Sequence, residues 1–226
     1  MDKFKLVVFD LEGTLVKHTT RQAKIVENSI SKNGVTLSIN VEENYSLRSK
    51  PEYHSAKDFI KKILELNNTP KEDEEIDKMV KFYKELRQNP EYLFDLQYLF
   101  TGVKEILAKL VEKEIICVLL TNANALQNQF LLEKFEIKKY FDFIVDDSCG
   151  LADKPDPTRV NLILEKFSII PEEVLIVDDS LAGLLAGKNA KTRTCGVLTG
   201  NSTKEMFEKE GIDYIFESVK DLGEVL

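Results

Sequence analysis

The sequence predicts an α/β protein, a doubly wound parallel sheet with an inserted α-helical domain. Three features of the 226-residue chain indicate this fold class. Short aliphatic runs recur along the chain, helical patterns separate several of them, and one long interval near the start lacks such runs. A chain of this length can form one sizeable domain together with a smaller one.

Six aliphatic runs are the predicted strands. They are short and apolar on both faces, which is typical of parallel strands covered by helices on both sides. The runs occupy residues 5–9, 115–120, 143–145, 174–177, 192–197 and 214–216. Residues 103–114 and 125–135 carry apolar side chains at three- and four-residue spacing, as amphipathic helices do. The alternation predicts the doubly wound arrangement of a Rossmann-like core.

The interval from residue 17 to residue 95 is the predicted insert. It contains no convincing strand, and its segments SAKDFIKKILEL and EEIDKMVKFYKEL have helical periodicity. The apolar faces of these helices must be covered, so they are expected to pack together as a small domain. We therefore predict an α/β core domain over residues 1–16 and 96–226 and an α-helical domain over residues 17–95.

Composition and charge are those of an ordinary globular protein, with 43% hydrophobic and 31% charged residues. The formal net charge of −8 disfavours nucleic acid and anionic membranes as general partners. No apolar run reaches membrane-spanning length, and the amino terminus leaves no room for a signal peptide before the first strand. Cys117, Cys149 and Cys195 are expected to be free thiols. These features predict a cytoplasmic protein, and we expect a monomer or a weak homodimer.

Polar side chains follow three of the predicted strands, and a lysine lies in a loop between two of the predicted strands. The set comprises Asp10 and Glu12 after the first run, Thr121 and Asn122 after the second, Lys154 in the loop, and Asp178, Asp179 and Ser180 after the fourth run. In an open parallel sheet, ligands bind beyond the carboxyl ends of the strands. We therefore expect these side chains to gather at one edge of the sheet.

This set of side chains suits the transfer of a phosphoryl group. Clustered carboxylates cannot all stay ionised without a cation, and hard oxygen ligands favour Mg²⁺. The metal and Lys154 would neutralise phosphate oxygens, while Thr121 would donate a hydrogen bond to them. Asp10 is best placed to attack phosphorus and form an aspartyl-phosphate.

Four motifs of the chain resemble those of the haloacid dehalogenase superfamily of phosphatases, and they occur in the family's order. They are FDLEGTLV, LLTNAN, KPDP and IVDDS. The chain looks most like the phosphoglycolate phosphatase branch, whose closing strands and helix resemble the tail GVLTGNSTKEMFEKEGIDYIFESVKDL. The resemblance covers nearly the whole chain outside the insert. It implies that the insert is an α-helical cap over the active site.

The resemblance also implies roles for the matching residues. Asp10 would be the nucleophile and Glu12 the general acid/base, with Lys154 as the third catalytic residue. The predicted phosphate-binding residues are Thr121, Asn122 and Lys154. The predicted Mg²⁺ ligands are Asp10, the backbone carbonyl of Glu12, Asp178 and Asp179.

Two positions depart from the family's commoner pattern. Glu12 stands where most of these phosphatases have aspartate, although the enolase-phosphatase branch carries the similar motif DIEGT. The fourth motif reads DDSLAG and resembles the EDSxxG variant of sugar-phosphate mutases and some phosphatases. Asp178 and Asp179 are therefore expected to share the metal, and either of them can be its direct ligand.

The sequence is compatible with several functions. The favoured one is Mg²⁺-dependent hydrolysis of a small cytosolic phosphometabolite. A phosphosugar mutase is the runner-up within the superfamily, but the mutase branch carries a cap histidine where this chain has Gln22. A signalling receiver is disfavoured because receivers place the acid pair before the phosphoaccepting aspartate. In the third alternative, a catalytically silent phosphate-binding module, Glu12 has lost its acid/base function.

The basic groups of the insert are candidates for contact with the far end of a substrate. They are His18, Arg21, Arg48, Lys50 and His54. His18 lies nearest to the nucleophile in sequence and is the first choice. The substrate itself is not predicted, because cap residues follow no general code.

Overall fold

The computed structural model describes residues 4–53 and 55–226, and His54 lies outside them. The chain divides into two compact units. The first consists of the described residues up to Lys17 together with Tyr98–Leu226, and the second is His18–Gln97. Within the described ranges, no helix has both the length and the apolar character needed to cross a bilayer.

A six-stranded parallel sheet forms the centre of the first unit, which confirms the predicted doubly wound fold class. The strands of this unit are β1 (Leu6–Phe9), β2 (Val16–Lys17), β3 (Tyr98–Leu99), β4 (Ile116–Leu120), β5 (Phe143–Val145), β6 (Val174–Asp178), β7 (Arg193–Val197) and β8 (Tyr214–Phe216). The sheet order is β5-β4-β1-β6-β7-β8. Leu6 of β1 is in register with Ile116 of β4 and with Val174 of β6.

Helices accompany the strands of the first unit and form the core of the second. The second unit contains α1 (Thr19–Ser31), α2 (Ala56–Leu66) and α3 (Asp73–Gln88), and the first contains α4 (Val103–Glu112), α5 (Ala125–Lys134), α6 (Thr158–Phe167), α7 (Leu181–Asn189) and α8 (Lys204–Lys209). Short 3₁₀ segments lie at Tyr45–Ser49, Pro51–Tyr53, Phe94–Leu96, Lys138–Tyr140, Asp147–Cys149, Pro171–Glu173 and Val219–Glu224.

The central strand β1 is apolar on both faces because both faces are covered. All four of its residues are buried. On one face, Leu6 and Val8 join an apolar cluster with Val160 and Ile163 of α6 and with Ala186 of α7. Burial on both sides holds β1 rigidly in the middle of the sheet, so that the residues following it are delivered to a fixed position.

The second unit has an apolar core of its own. Its helices contribute buried side chains that include Ile25 of α1, Phe59 of α2 and Met79 of α3. Arg21 of α1 is fully buried and donates to the backbone carbonyls of Asn89 and Tyr92, both at 2.9 Å. These bonds make Arg21 a structural residue of this unit, which corrects its inclusion among the candidate substrate contacts.

The short ladder between β2 and β3 was not predicted. Val16 pairs with Leu99 and Lys17 with Tyr98, where the chain leaves the first unit and returns to it. Each strand has only two residues, which is too short for a period-two pattern to be visible in the sequence.

Candidate active site

The site lies at the carboxyl ends of the three central strands. Asp10 follows β1, Thr121 follows β4, and Asp178 is the last residue of β6. Because β1 lies between β4 and β6 and all three are parallel, their carboxyl ends meet at one edge. The backbone N–H of Asp10 donates to the carbonyl of Val177 at 3.0 Å, which extends the ladder into the site.

The turn after β1 is built on close backbone packing. Gly13 has a φ of +98°, a conformation that other residues rarely adopt, and a Cβ at this position would overlap the carboxylate of Asp179. Two backbone bonds close the turn, from Gly13 N–H to the Val16 carbonyl at 2.8 Å and from Leu15 N–H to the Leu11 carbonyl at 2.9 Å. The glycine of the EGT sequence is therefore required by the geometry of the site.

Lys154 contacts residues from all three strand ends. Its Nζ donates to Asp10 Oδ1 at 2.6 Å and to Asp178 Oδ2 at 2.8 Å, and it also contacts the Leu120 carbonyl at 3.2 Å. The lysine and both aspartates are buried. This arrangement places one positive charge between two carboxylates and fixes the orientation of the Asp10 side chain.

The two acids of the fourth motif have different hydrogen-bond partners. Asp178 Oδ1 accepts from the backbone N–H and the hydroxyl of Ser180, at 2.8 and 2.6 Å. The Ser180 hydroxyl also caps α7 by accepting from Gly183 N–H. Asp179 Oδ1 accepts from the Thr14 hydroxyl at 3.1 Å, while Asp179 N–H donates to the same hydroxyl at 3.0 Å. Each acid is thus oriented separately.

Burial and mutual repulsion make the carboxylates hard to ionise together. Burial raises the pKa of Asp10 from 3.8 to about 7; Lys154 opposes this rise, and Asp178 and Glu12 add to it. Burial likewise raises the pKa of Asp179 well above its ordinary value, with Asp178 and Asp10 adding to the rise. Burial lowers the pKa of Lys154, but its contacts with Asp10 and Asp178 outweigh that effect, so the ammonium stays protonated.

The side chains present suit a divalent cation. Asp10, Asp178 and Asp179 each offer a carboxylate oxygen, and these oxygens lie within 4.8 Å of one another. Carboxylate oxygens are the ligands that Mg²⁺ prefers, and a cation among them would offset both the cost of burying their charges and their mutual repulsion, which together raise the pKa of Asp10 and Asp179. The donor set and its electrostatics therefore fit the predicted metal.

Thr121 and Asn122 lie together at the end of β4. Thr121 is buried, and its Oγ1 accepts from Ala123 N–H at 3.1 Å. The side-chain carbonyl of Asn122 accepts from Lys154 N–H at 3.2 Å, and its amide donates to the Lys154 carbonyl at 3.4 Å. Asn122 thus contacts the backbone of the residue whose ammonium reaches Asp10.

Arg159 is a residue of the site that the sequence reasoning missed. It is buried on α6 and donates to the Thr121 carbonyl at 3.1 Å, to the Leu151 carbonyl at 2.9 Å and to Asp153 Oδ1 at 2.7 Å. These bonds join the end of β4 to the loop that carries Lys154. The sequence does contain a signal, because an arginine four residues before Ile163 lies on the apolar face of an amphipathic helix.

Glu12 and His18 are the two remaining residues that the sequence predicted for the site. Glu12 is half-buried, and its Oε1 accepts from Nε2 of Gln127 on α5 at 2.8 Å. Its charge is close enough to contribute to the raised pKa of Asp10. His18 belongs to the second unit and directly precedes α1, and its predicted substrate contact stays a prediction.

The fold and the site define the class of the protein. It is a doubly wound α/β enzyme whose candidate active site, at one edge of the sheet, is formed by aspartates and a lysine. The family model described as haloacid dehalogenase-like hydrolase matches residues 7–197, which is most of the chain. The chain therefore belongs to the haloacid dehalogenase-like hydrolase family. It is a phosphatase of that family, most like the phosphoglycolate phosphatase branch.

Several relatives span nearly the full length of the chain. A phosphoglycolate phosphatase of Vibrio parahaemolyticus is 27% identical, with 98% of this chain and 96% of the relative covered. A protein of Caldanaerobacter subterraneus named "Putative pyrophosphatase PpaX" is 29% identical, with 99% and 95% covered. A crystal structure from Haemophilus somnus, described as "a predicted phosphoglycolate phosphatase", is 21% identical, covers 100% of this chain and 99% of its own, and has a TM-score of 0.79. The structural likeness supports the fold.

Proposed function

We propose that the chain is a Mg²⁺-dependent phosphomonoesterase of a small cytosolic phosphometabolite, and that Asp10 is its nucleophile. The observation that supports this most strongly is the contact of Lys154 Nζ with Asp10 Oδ1 at 2.6 Å, beside the carboxylates of Asp178 and Asp179. A lysine held against a buried carboxylate orients an attacking oxygen and places positive charge where phosphate oxygens arrive.

In the first proposed step, a carboxylate oxygen of Asp10 attacks phosphorus. The bond from phosphorus to the substrate's alkoxide oxygen breaks, and an aspartyl-phosphate forms. Glu12 gives its proton to the departing alkoxide. Thr121 Oγ1 already accepts from Ala123 N–H, so its own hydrogen is available to donate to a phosphoryl oxygen.

In the second proposed step, Glu12 acts as the base. Its carboxylate takes a proton from a water molecule, whose oxygen attacks the phosphorus of the aspartyl-phosphate. The bond between phosphorus and Asp10 breaks, which releases inorganic phosphate and restores both carboxyl groups. Lys154 neutralises charge on the phosphoryl oxygens in both steps, and Asn122 and Arg159 hold its loop in place.

Asp10, Asp178, Asp179 and the backbone carbonyl of Glu12 are the proposed Mg²⁺ ligands. When bound, Mg²⁺ neutralises negative charge on the carboxylates and on the phosphoryl group. The predicted phosphate contact of Asn122 stays a prediction, as do the role of residues 17–95 as a cap and the substrate contact of His18.

The proposal is tested by screening phosphorylated metabolites for phosphate release in the presence of Mg²⁺. The panel includes 2-phosphoglycolate, sugar phosphates, other alkyl phosphates and inorganic pyrophosphate, since the similar proteins carry the names of phosphoglycolate phosphatases and a pyrophosphatase. We expect turnover of at least one phosphomonoester by the wild type and none by Asp10→Asn. Failure of every compound to release phosphate would favour a silent phosphate-binding module.

One observation bears on the mutase alternative. Gln22, which occupies the position of the mutase branch's cap histidine, is buried within the second unit, and its Oε1 accepts from the Tyr83 hydroxyl at 3.4 Å. A residue packed in this way favours hydrolysis over sugar-hydroxyl transfer. Interconversion of sugar phosphates without release of phosphate would support the mutase instead.

A further inference from the structure

The side chain of Glu12 is held by a residue from a different part of the sequence. Gln127, on the first turn of α5, donates from Nε2 to Glu12 Oε1 at 2.8 Å. An ionised carboxylate only accepts hydrogen bonds, so the amide nitrogen must be the atom of Gln127 that faces it. Gln127 is only 2% exposed, which is unusual for a glutamine and calls for a structural or functional reason.

Both ends of this hydrogen bond are anchored to the fold. The side chain of Asn124 caps α5 by accepting from Gln127 N–H at 2.9 Å, and α5 begins directly after the loop that carries Thr121. At the other end, Glu12 belongs to the closed turn after β1 and is bridged to Val16. The donor and the acceptor are therefore positioned by two strand ends of the same sheet edge.

We propose that Gln127 is a positioning residue that holds the Glu12 carboxyl group in place for proton transfer. This inference rests on the proposed role of Glu12 as general acid/base. A neutral amide suits the task because it can donate to the group both as a carboxylate and as a carboxylic acid, whose carbonyl oxygen still accepts. The contact can therefore persist while Glu12 gives and regains its proton.

The contact also gives a physical reason for glutamate at position 12. An aspartate on the same backbone would end one carbon–carbon bond earlier, a difference of roughly 1.5 Å. Its oxygen would then lie beyond hydrogen-bond distance of Gln127 Nε2, given the present separation of 2.8 Å. Glu12 and Gln127 thus act as a matched pair, in which the longer acid is stabilised by a partner that only it can reach.

The first test compares Gln127→Met with Gln129→Met. Methionine keeps the length and flexibility of glutamine but cannot donate a hydrogen bond, and Gln129 is an exposed residue of the same helix. We measure kcat/KM for p-nitrophenyl phosphate and for the alkyl phosphate that the wild type hydrolyses fastest. A misplaced acid should cost about a hundredfold with the alkyl substrate and much less with the nitrophenolate, which leaves readily without a proton. Gln129→Met should match the wild type.

The second test is a double-mutant cycle with Glu12→Asp. If Gln127 acts through Glu12, Gln127→Met should change kcat/KM by less than about twofold once aspartate occupies position 12, because the contact is already lost. An equal loss of kcat/KM in the Glu12 and the Glu12→Asp proteins would mean that Gln127 is merely structural. So would an equal loss with p-nitrophenyl phosphate and the alkyl phosphate. Either result would overturn the inference. Gln127→Ala replaces the methionine variant if the latter does not fold.

The positioning role of Gln127 and the proposed phosphatase function are overturned by different results. Turnover that depends on Asp10 but changes less than twofold in Gln127→Met overturns the positioning role alone. Absence of any Asp10-dependent turnover in the wild type overturns the proposed function, and the positioning role with it.

Discussion

The ammonium nitrogen of Lys154 lies 2.6 Å from Oδ1 of Asp10, although the two residues are 144 positions apart in the chain. The same nitrogen is 2.8 Å from Asp178, so one buried cation serves acids from two neighbouring strands. Removal of the lysine from such a group would leave both acids buried without their shared positive charge, which is more costly than the loss of an exposed ion pair.

Replacement of Asp10 by asparagine should abolish activity. The amide keeps the shape of the side chain but lacks the anionic oxygen that attacks phosphorus in the proposed mechanism. We expect phosphate release to fall below detection, while the circular dichroism spectrum stays that of the wild type. Persistent activity in the purified variant would show that the phosphoryl group does not pass through this residue.

Replacement of Lys154 by alanine should lower kcat/KM about a hundredfold, because a fixed charge in a site that excludes water contributes strongly to transition-state stabilisation. The same substitution at the exposed Lys139 serves as the control and should have no effect. A loss of less than about tenfold at Lys154 would be hard to reconcile with a contact to the phosphoryl group.

Replacement of Arg159 by methionine should destabilise the protein and impair the site. It would leave the buried carbonyl of Thr121 and the carbonyl of Leu151 without these donors, at a cost of about 2–4 kcal/mol in the free energy of unfolding. Arg193→Met is the control, since Arg193 is exposed and its pair with Asp213 should contribute less than about 1 kcal/mol. Equal denaturation midpoints for the two variants would argue against a bracing role for Arg159.

Metal-free protein should lose stability as the pH rises. The folded-state pKa of Asp10 is raised from 3.8 to about 7, so the stabilisation from its bound proton is complete below pH 3.8 and is lost as the pH rises through about 7. In EDTA, the melting temperature of the wild type should therefore fall between pH 5 and pH 8 by at least about 2 °C more than that of Asp10→Asn. Added Mg²⁺ should raise the wild-type value more at pH 8 than at pH 5, because protons compete for the carboxylates. If the melting temperatures of the two proteins depended on pH in the same way, the raised pKa of Asp10 would be contradicted.

The fold could be predicted well because β-strands buried on both faces leave an unmistakable apolar signature. The aliphatic runs that correspond to β1, β4 and β6 also predicted that Asp10, Thr121 and Asp178 lie together, since the carboxyl ends of parallel strands share an edge. The ladder of β2 and β3 left no such pattern in two residues each.

Partners that act across the site were harder to find. Arg159 and Gln127 lie on helices, and their roles depend on which strand end or side chain they face in three dimensions. Each is a polar residue on the buried face of its helix, beside Ile163 in one case and Leu131 in the other. That pattern indicates a buried polar contact. It does not identify the partner, because the partner is determined only by how the helix packs on the sheet.

The glutamate at position 12 leads to the most discriminating prediction, because an acid/base role and a silent role give opposite results. Glu12→Gln keeps the size of the side chain but cannot exchange a proton, so it should nearly abolish turnover. Glu12→Asp keeps the acidity, since the ordinary pKa values differ by only about 0.4, but it loses the reach to Gln127 and should lower kcat by about tenfold or more. The measurement is kcat for the three proteins on one good substrate at saturating Mg²⁺. Equal turnover by Gln and Glu would exclude residue 12 as the acid/base, whereas faster turnover by Asp would mean that the natural glutamate slows the enzyme and would revive the silent phosphate-binding alternative.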